Sequence, residues 1–186
     1  QIRITCTGGA DAVLSGLFIG GARPTATASY QGSDATTEGS WTSTYGPYGY
    51  AVAGFGSSLS PVFNYSVADA QTYVWGRSTT DPRALQTPNG VSRVGAMWYS
   101  SSSFTVALDL GAAPRNLSLY FLDWDSNDRS QRIDVLDAGT GTLLDSRSIA
   151  SFHDGLYLTW AVAGKIQIRI TCTGGANAVL NGLFMN

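Results

Sequence analysis

The segment QIRITCTGGADAVLSGLFIG, Gln1–Gly20, returns 166 residues later as QIRITCTGGANAVLNGLFMN, Gln167–Asn186. Only four positions differ: Asp11/Asn177, Ser15/Asn181, Ile19/Met185 and Gly20/Asn186. Scattered differences of this kind mark two drifted copies of one structural unit. A duplication of this quality limits the fold before any other feature is weighed.

Each copy has a clear local design. Ile2, Ile4 and Cys6 alternate with Arg3, Thr5 and Thr7, which is the period of a half-buried strand. Gly8-Gly9 supplies turn residues, and AVLSGLFI reads as a second strand. The unit is therefore a β-hairpin, or two strands leading into a corner. Two strands alone are marginal in water. Burying Ile2, Ile4, Val13, Leu14, Leu17 and Phe18 is worth roughly 9–18 kcal/mol as an upper bound, against about 5–15 kcal/mol for the net stability of a domain. Both copies are expected to be buried, with Cys6 beside these six as the assembly residues.

Residues 1–20 are thus expected to form a duplicate, donor-type hairpin unit. Residues 21–186 are expected to form a single β-sandwich domain that includes the C-terminal copy, 167–186. If that body has one slot for the unit, one copy is surplus. The chain is then a cut from a tandem array of period 166, or the surplus copy completes a neighbouring subunit by donated strands. Both give head-to-tail, open-ended assembly of copies of the chain. The alternative is a monomer with two slots.

Composition points the same way. The chain has one Lys (Lys165) and one Glu (Glu38), with 22 Gly and 9 Tyr. Helix formers are scarce while strand and turn residues abound. The net charge is −2 with no basic block, so phosphate-driven nucleic-acid binding has nothing to rest on. No apolar run is long enough to span a membrane. The chain starts at Gln1 without a signal peptide, which is expected of a processed export product or of a segment of something longer. Cys6 and Cys172 occupy equivalent places, one per copy. They read either as buried strand thiols or as a bridge between copies lying side by side.

Between the copies, short strand-like runs follow one another at close intervals: TATASYQG, PVFNYSVA, QTYVWG, SRVGAMWYSS, SFTVALDL, RNLSLYFLDW, RIDVLDA, TLLDSRSIA and GLYLTWAVAG. Turn signals such as Gly46-Pro47, Pro88-Asn89-Gly90, Asp125–Asp128 and Asp154-Gly155 separate them. The pattern predicts an all-β, jelly-roll-like β-sandwich with no helix beyond a turn near Asp81–Leu85. The runs Thr36–Tyr50, Thr79–Gln86, Leu122–Arg147 and Thr173–Phe184 resemble those of repeated β-sandwich modules, galactose-binding-like jelly rolls, of large secreted bacterial proteins. The resemblance implies an extracellular or cell-surface location and the company of carbohydrate-active domains. The extra N-terminal copy departs from that pattern.

Catalytic signatures are missing from the sequence. His153 is the one histidine and sits in a turn, SFHDG, with no nucleophile elbow elsewhere. Asp123, Asp125 and Asp128 crowd one turn and cannot flank a sugar from opposite sides. The spacing of Asp123, Asp125 and Asn127, with Asp134 at relative position 12, is that of a calcium loop, although Asp128 stands where a Gly is expected. A structural Ca2+ is the one cofactor this raises; the other reading is an acidic hairpin turn balanced by Arg129 and Arg132.

Of the five tryptophans, those in TYVWG and LYLTW read as core. The aromatics placed for glycan contact are Tyr45, Tyr48 and Tyr50, in a Gly/Pro-rich turn. Asn64 and Asn116 head N-glycosylation patterns. The sequence therefore points to a non-catalytic extracellular protomer or tandem repeat, joined head to tail into a fibre or adhesive stalk. The alternative is a carbohydrate-binding module of a secreted protein, with glycans as partners.

Overall fold

In the computed structural model, residues 3–14, 25–59 and 64–186 are described. The strand-like runs become β1 (Thr27–Asp34), β2 (Gly49–Val52), β3 (Gly56–Leu59), β4 (Asn64–Ala68), β5 (Gln71–Thr79), β6 (Leu85–Gln86), β7 (Arg93–Ser100) and β8 (Ser103–Asp109). These are followed by β9 (Arg115–Phe121), β10 (Ser130–Asp137), β11 (Leu143–Ala150), β12 (Leu156–Ala163), β13 (Lys165–Gly174), β14 (Ala178–Leu180) and β15 (Gly182–Met185). The described residues contain no α-helix. A single 3-10 turn lies at Trp41–Ser43, and residues 81–84 make the expected tight turn.

Two main antiparallel sheets form a β-sandwich. One has the order β1-β12-β9-β15-β2-β3 and the other β11-β10-β13-β8-β4, with a smaller sheet β14-β7-β5 at the side. Alternation sets the inner faces. Phe104, Val106 and Leu108 of β8, and Ile166, Ile168 and Ile170 of β13, are buried, while the residues between them are more exposed. They meet Leu117, Leu119 and Phe121 of β9 and Trp160 and Val162 of β12 in one core. A second, aromatic core of Trp41, Tyr120, Tyr157 and Phe184 lies beside it. There each polar tip finds a partner: Trp41 Nε1 donates to the carbonyl of Gln86, Tyr120 Oη to that of Arg83 and Tyr157 Oη to that of Glu38.

The C-terminal copy holds this architecture together. β13 lies between β10 and β8, with Ile168 opposite Val135 on one side and Val106 on the other. β14 pairs with β7, and β15 lies between β9 and β2. The unit is not a hairpin. It is three strands, β13 and β15 in the two main sheets and the short β14 of the small sheet between them. Ile168, Ile170, Val179, Leu180, Leu183 and Phe184 are fully buried, as the burial argument required of one copy.

The N-terminal copy departs from that argument. Among its described residues no strand forms. Ile4 is 46% exposed, Val13 74% and Leu14 55%, and Cys6 is also exposed. Ile2, Leu17 and Phe18 lie outside the described residues. The physical reason is that the slot is already filled by β13–β15, whose strand neighbours have no second edge to offer. Both thiols are free, so Cys6 and Cys172 are not bridged.

Candidate functional site

β5 is the outer strand of the small sheet; on it Tyr73 is exposed, while Trp75 is half-buried and packs against the main core with part of its ring left open. Trp124, in the loop after β9, lies against Gly95 of β7, where a Cβ would come within 3.1 Å of its ring. The absent side chain at Gly95 lets the indole approach the strand closely. Trp75 stacks on Trp124 with centroids 5.8 Å apart and 23° between planes, and Tyr73 meets Trp75 edge to face at 5.4 Å. Tyr73 is 49% exposed and both indoles are partly exposed. The three rings form a ladder on the surface.

Polar groups are fixed around this ladder. The Arg83 guanidinium lies 5.2 Å from the centroid of Trp124 and is clamped by both oxygens of Asp81. Asp125 accepts a hydrogen bond from Trp75 Nε1 at 3.1 Å and one from Arg129 Nη1 at 2.7 Å. Partial burial works against the charged form of Asp125, but the hydrogen bonds from Arg129 and Trp75 outweigh it and hold the carboxyl below its ordinary range. The ladder thus has a permanent cation at one end and a permanent anion at its middle.

The acidic turn owes its shape to Arg129. This buried guanidinium bonds the carboxylates of Asp123 and Asp125 and, through Nε, the Asn177 side chain at 2.9 Å. Asp134 takes no part. It sits in β10, held by Arg132 at 3.1 Å, Arg169 at 3.2 Å and Ser146 at 2.7 Å. The calcium-loop spacing therefore does not bring Asp123, Asp125, Asn127 and Asp134 to one point: Arg129 stands between the first two and the last is claimed elsewhere. Among the described residues no group of three or more His, Cys, Asp or Glu is placed to hold a metal ion.

His153 is not a solvated loop residue. Its Nδ1 lies 2.9 Å from the carbonyl of Asp123 and 3.0 Å from that of Ser126, and its Nε2 lies 2.9 Å from Arg83 Nη1. Two carbonyls facing Nδ1 require the proton there, which leaves Nε2 to accept from Arg83. The imidazole ties the acidic turn to the ladder's arginine. The Ser126 hydroxyl bonds carboxylates of Asp123 and Asp128 instead of the imidazole, so no nucleophile–base pair forms there.

The tyrosine turn is split by packing. Tyr45 stacks on Tyr157 at 4.2 Å and donates its hydroxyl to Asp34 at 2.8 Å. Tyr50 leans on Trp41 at 4.8 Å. Together with Pro47 these rings line a shallow depression of about 260 Å³. Only Tyr48 stands well into solvent, 54% exposed, with Arg115 over its ring at 5.1 Å. Asn64 and Asn116 are both exposed, at the starts of β4 and β9.

Sequence reasoning sorted the tryptophans by strand pattern and was right for Trp160, which is fully buried. It missed the part exposure of Trp75. The signal was present in QTYVWGRST: a run with Gln71, Thr72, Arg77 and Ser78 at its ends suits an outer strand more than a core one.

No protein-family model matches the sequence, and no curated protein sequence matches it. Among solved structures the chain is similar to a family 61 carbohydrate-binding module in complex with β-1,4-galactotriose (13% identity, 68% of this chain and 90% of that one, TM-score 0.38). It is also similar to a family 35 carbohydrate-binding module from Clostridium thermocellum (16%, 68% and 98%, TM-score 0.38) and to one from Paenibacillus barcinonensis (14%, 66% and 98%, TM-score 0.34).

Proposed function

We propose that this chain is a non-catalytic carbohydrate-binding module acting outside the cell, and that the Tyr73–Trp75–Trp124 ladder is its glycan surface. The observation that carries this reading is the Tyr73–Trp75 pair on an outer strand, backed by Trp124 and flanked by an ion-paired arginine and carboxylate. The C–H faces of pyranose rings pack on aromatic faces, and hydroxyls need such charged partners for direction. A surface that is open and not a closed pocket suits a chain of sugars better than a small molecule. Tyr48 with Arg115 is a second, smaller contact of the same type.

Head-to-tail assembly is the weaker reading. It is favoured by the exposed apolar residues of the N-terminal copy. Stoichiometry opposes it: each body has one slot, already filled, so exchange between identical chains leaves as many copies exposed as before.

The test is a glycan array probed with the intact chain and with Trp75→Ala, Trp124→Ala and Tyr48→Ala. Binding that falls at least tenfold in both tryptophan variants supports the ladder. Binding kept by those variants and lost with Tyr48→Ala moves the site to the tyrosine turn. A folded chain that retains no glycan ends the reading.

A further inference from the structure

Pro47 and Tyr50 stand between two small depressions. One, of about 260 Å³, is walled by Trp41 and Tyr45 and rimmed by the exposed residues Ser43 and Thr44. The other, of about 320 Å³, is walled by Tyr48 and rimmed by Ser58. Pro47 and Tyr50 line both, so the two halves make one trough across the turn. Sites that enclose a drug-sized ligand run from roughly 300 to 1,000 Å³. Each half is therefore sized for one ring, and the trough for two rings in sequence.

The trough is preformed. Asn186 Oδ1 accepts from the Gly46 N–H at 2.7 Å, and the Met185 carbonyl accepts from the Tyr48 N–H at 3.1 Å. Gly46 has φ +76°, and a Cβ there would come within 3.0 Å of the Trp41 ring. The turn is thus pinned to the C-terminal strand on one side and to the aromatic core on the other. A ligand loses little free energy to ordering it.

The polar rim is hydroxyl, and no charged side chain lines either half. Each hydroxyl can both donate and accept, which matches the hydroxyls of neutral sugars. A proline-rich peptide, the other ligand of aromatic-lined grooves, presents carbonyls and needs donors. The indole N–H that would serve it is spent inside: Trp41 Nε1 donates to the Gln86 carbonyl at 2.8 Å, and the Tyr45 hydroxyl donates to Asp34 at 2.8 Å. We infer that the Trp41–Tyr50 turn is a glycan site in its own right, taking two consecutive neutral sugar units, so that one chain can bridge two glycan strands. This rests on reading the chain as glycan-binding but not on the ladder, with which the trough shares no residue. The buried rings of Phe184, Tyr157 and Tyr120 run between the two surfaces.

The test is calorimetric titration of the full chain with β-1,4-linked hexa- and disaccharides of glucose, xylose, mannose and galactose, and with the four monosaccharides. It is repeated with Trp75→Ala, Tyr48→Ala and Thr44→Arg. Residues 44 and 48 are exposed, so the last two variants leave the core intact, and Thr44→Arg sets a long side chain at the rim of the first depression. The expected result is two equivalents of one hexasaccharide, one lost in Trp75→Ala and the other in both turn variants. In Trp75→Ala the disaccharide should bind within about threefold of the hexasaccharide and the monosaccharide at least about tenfold more weakly, because half the trough is then empty.

A single equivalent lost only in the turn variants upholds the trough and ends the ladder reading. A single equivalent lost only in Trp75→Ala overturns the inference and leaves the ladder standing. A disaccharide no tighter than its monosaccharide also overturns it, as does decaproline displacing the hexasaccharide from the Trp75→Ala chain. No heat with any sugar overturns both readings.

Discussion

The side chain of Gln131 serves Val179 as a strand would: its Nε2 donates to the Val179 carbonyl at 2.9 Å and its Oε1 accepts from the Val179 N–H at 2.8 Å. Gln131 is fully buried on β10, and Val179 is the middle of β14, where the C-terminal copy turns from one main sheet toward the other. A side-chain amide here completes a ladder that no backbone reaches. Gln131→Met keeps the volume and removes both partners. Two buried backbone groups are then left unpaired, and stability should fall by about 2–5 kcal/mol in urea unfolding.

Asn181→Ser should act in the same way, because Leu122 and Ala96 lose their shared partner. The expected loss is about 2–4 kcal/mol. The matching change in the other copy, Ser15→Asn, should leave the unfolding midpoint of the native chain where it was. Equal effects from the two would contradict the assignment of the slot to β13–β15.

Gly155 has φ +90°, and a Cβ there would stand 2.0 Å from the Tyr120 hydroxyl. That hydroxyl donates to the carbonyl of Arg83, the arginine of the aromatic ladder. Gly155→Ala should cost about 2–4 kcal/mol through overpacking and a left-handed backbone. It should also weaken glycan binding by displacing Arg83. A thermal melt and an array measurement on the same variant check both parts.

Acid should unfold the chain. The Arg147 hydrogen bond lowers the Asp145 carboxyl, and the Arg83 hydrogen bond lowers Asp81. At Asp34 burial pulls upward and is outweighed by hydrogen bonds from Thr37 and Thr36. A carboxyl that is lower in the folded chain contributes fully above its unfolded value, about 4, and loses that contribution as pH falls through the folded value. Urea midpoints should be level between pH 5 and 7 and drop steadily below about pH 4. A midpoint that rises toward pH 3 would show the sign to be wrong.

The legible part of this fold lay in period-2 alternation and in the duplication. Ile166, Ile168 and Ile170 declared an inner face, and the repeat declared a unit that needs a place to be buried. What could not be read was where chain segments distant in sequence compete. Arg129 was read as a balancing charge at a turn; its role between Asp123 and Asp125 depends on the loop's closing on itself and on Asn177 arriving from the C-terminal copy. Trp75 was assigned to the core, against which it packs, but its part exposure was not legible, because strand alternation gives a face and not a sheet edge. The burial of both copies was expected from hydrophobic area alone, and area does not count vacancies.

β13, β14 and β15 come after every strand they pair with. During synthesis, β8 and β10 leave the ribosome with an empty place between them, and so do β9 and β2. One sheet cannot close until β13 has cleared and the other until β15 has, so the molecule gains its cohesion late, within the last strands made, instead of growing strand by strand. A chain stalled or clipped before that point has both sheets divided and their unpaired edges exposed, which makes the final twenty residues of the fold a checkpoint for the whole sandwich.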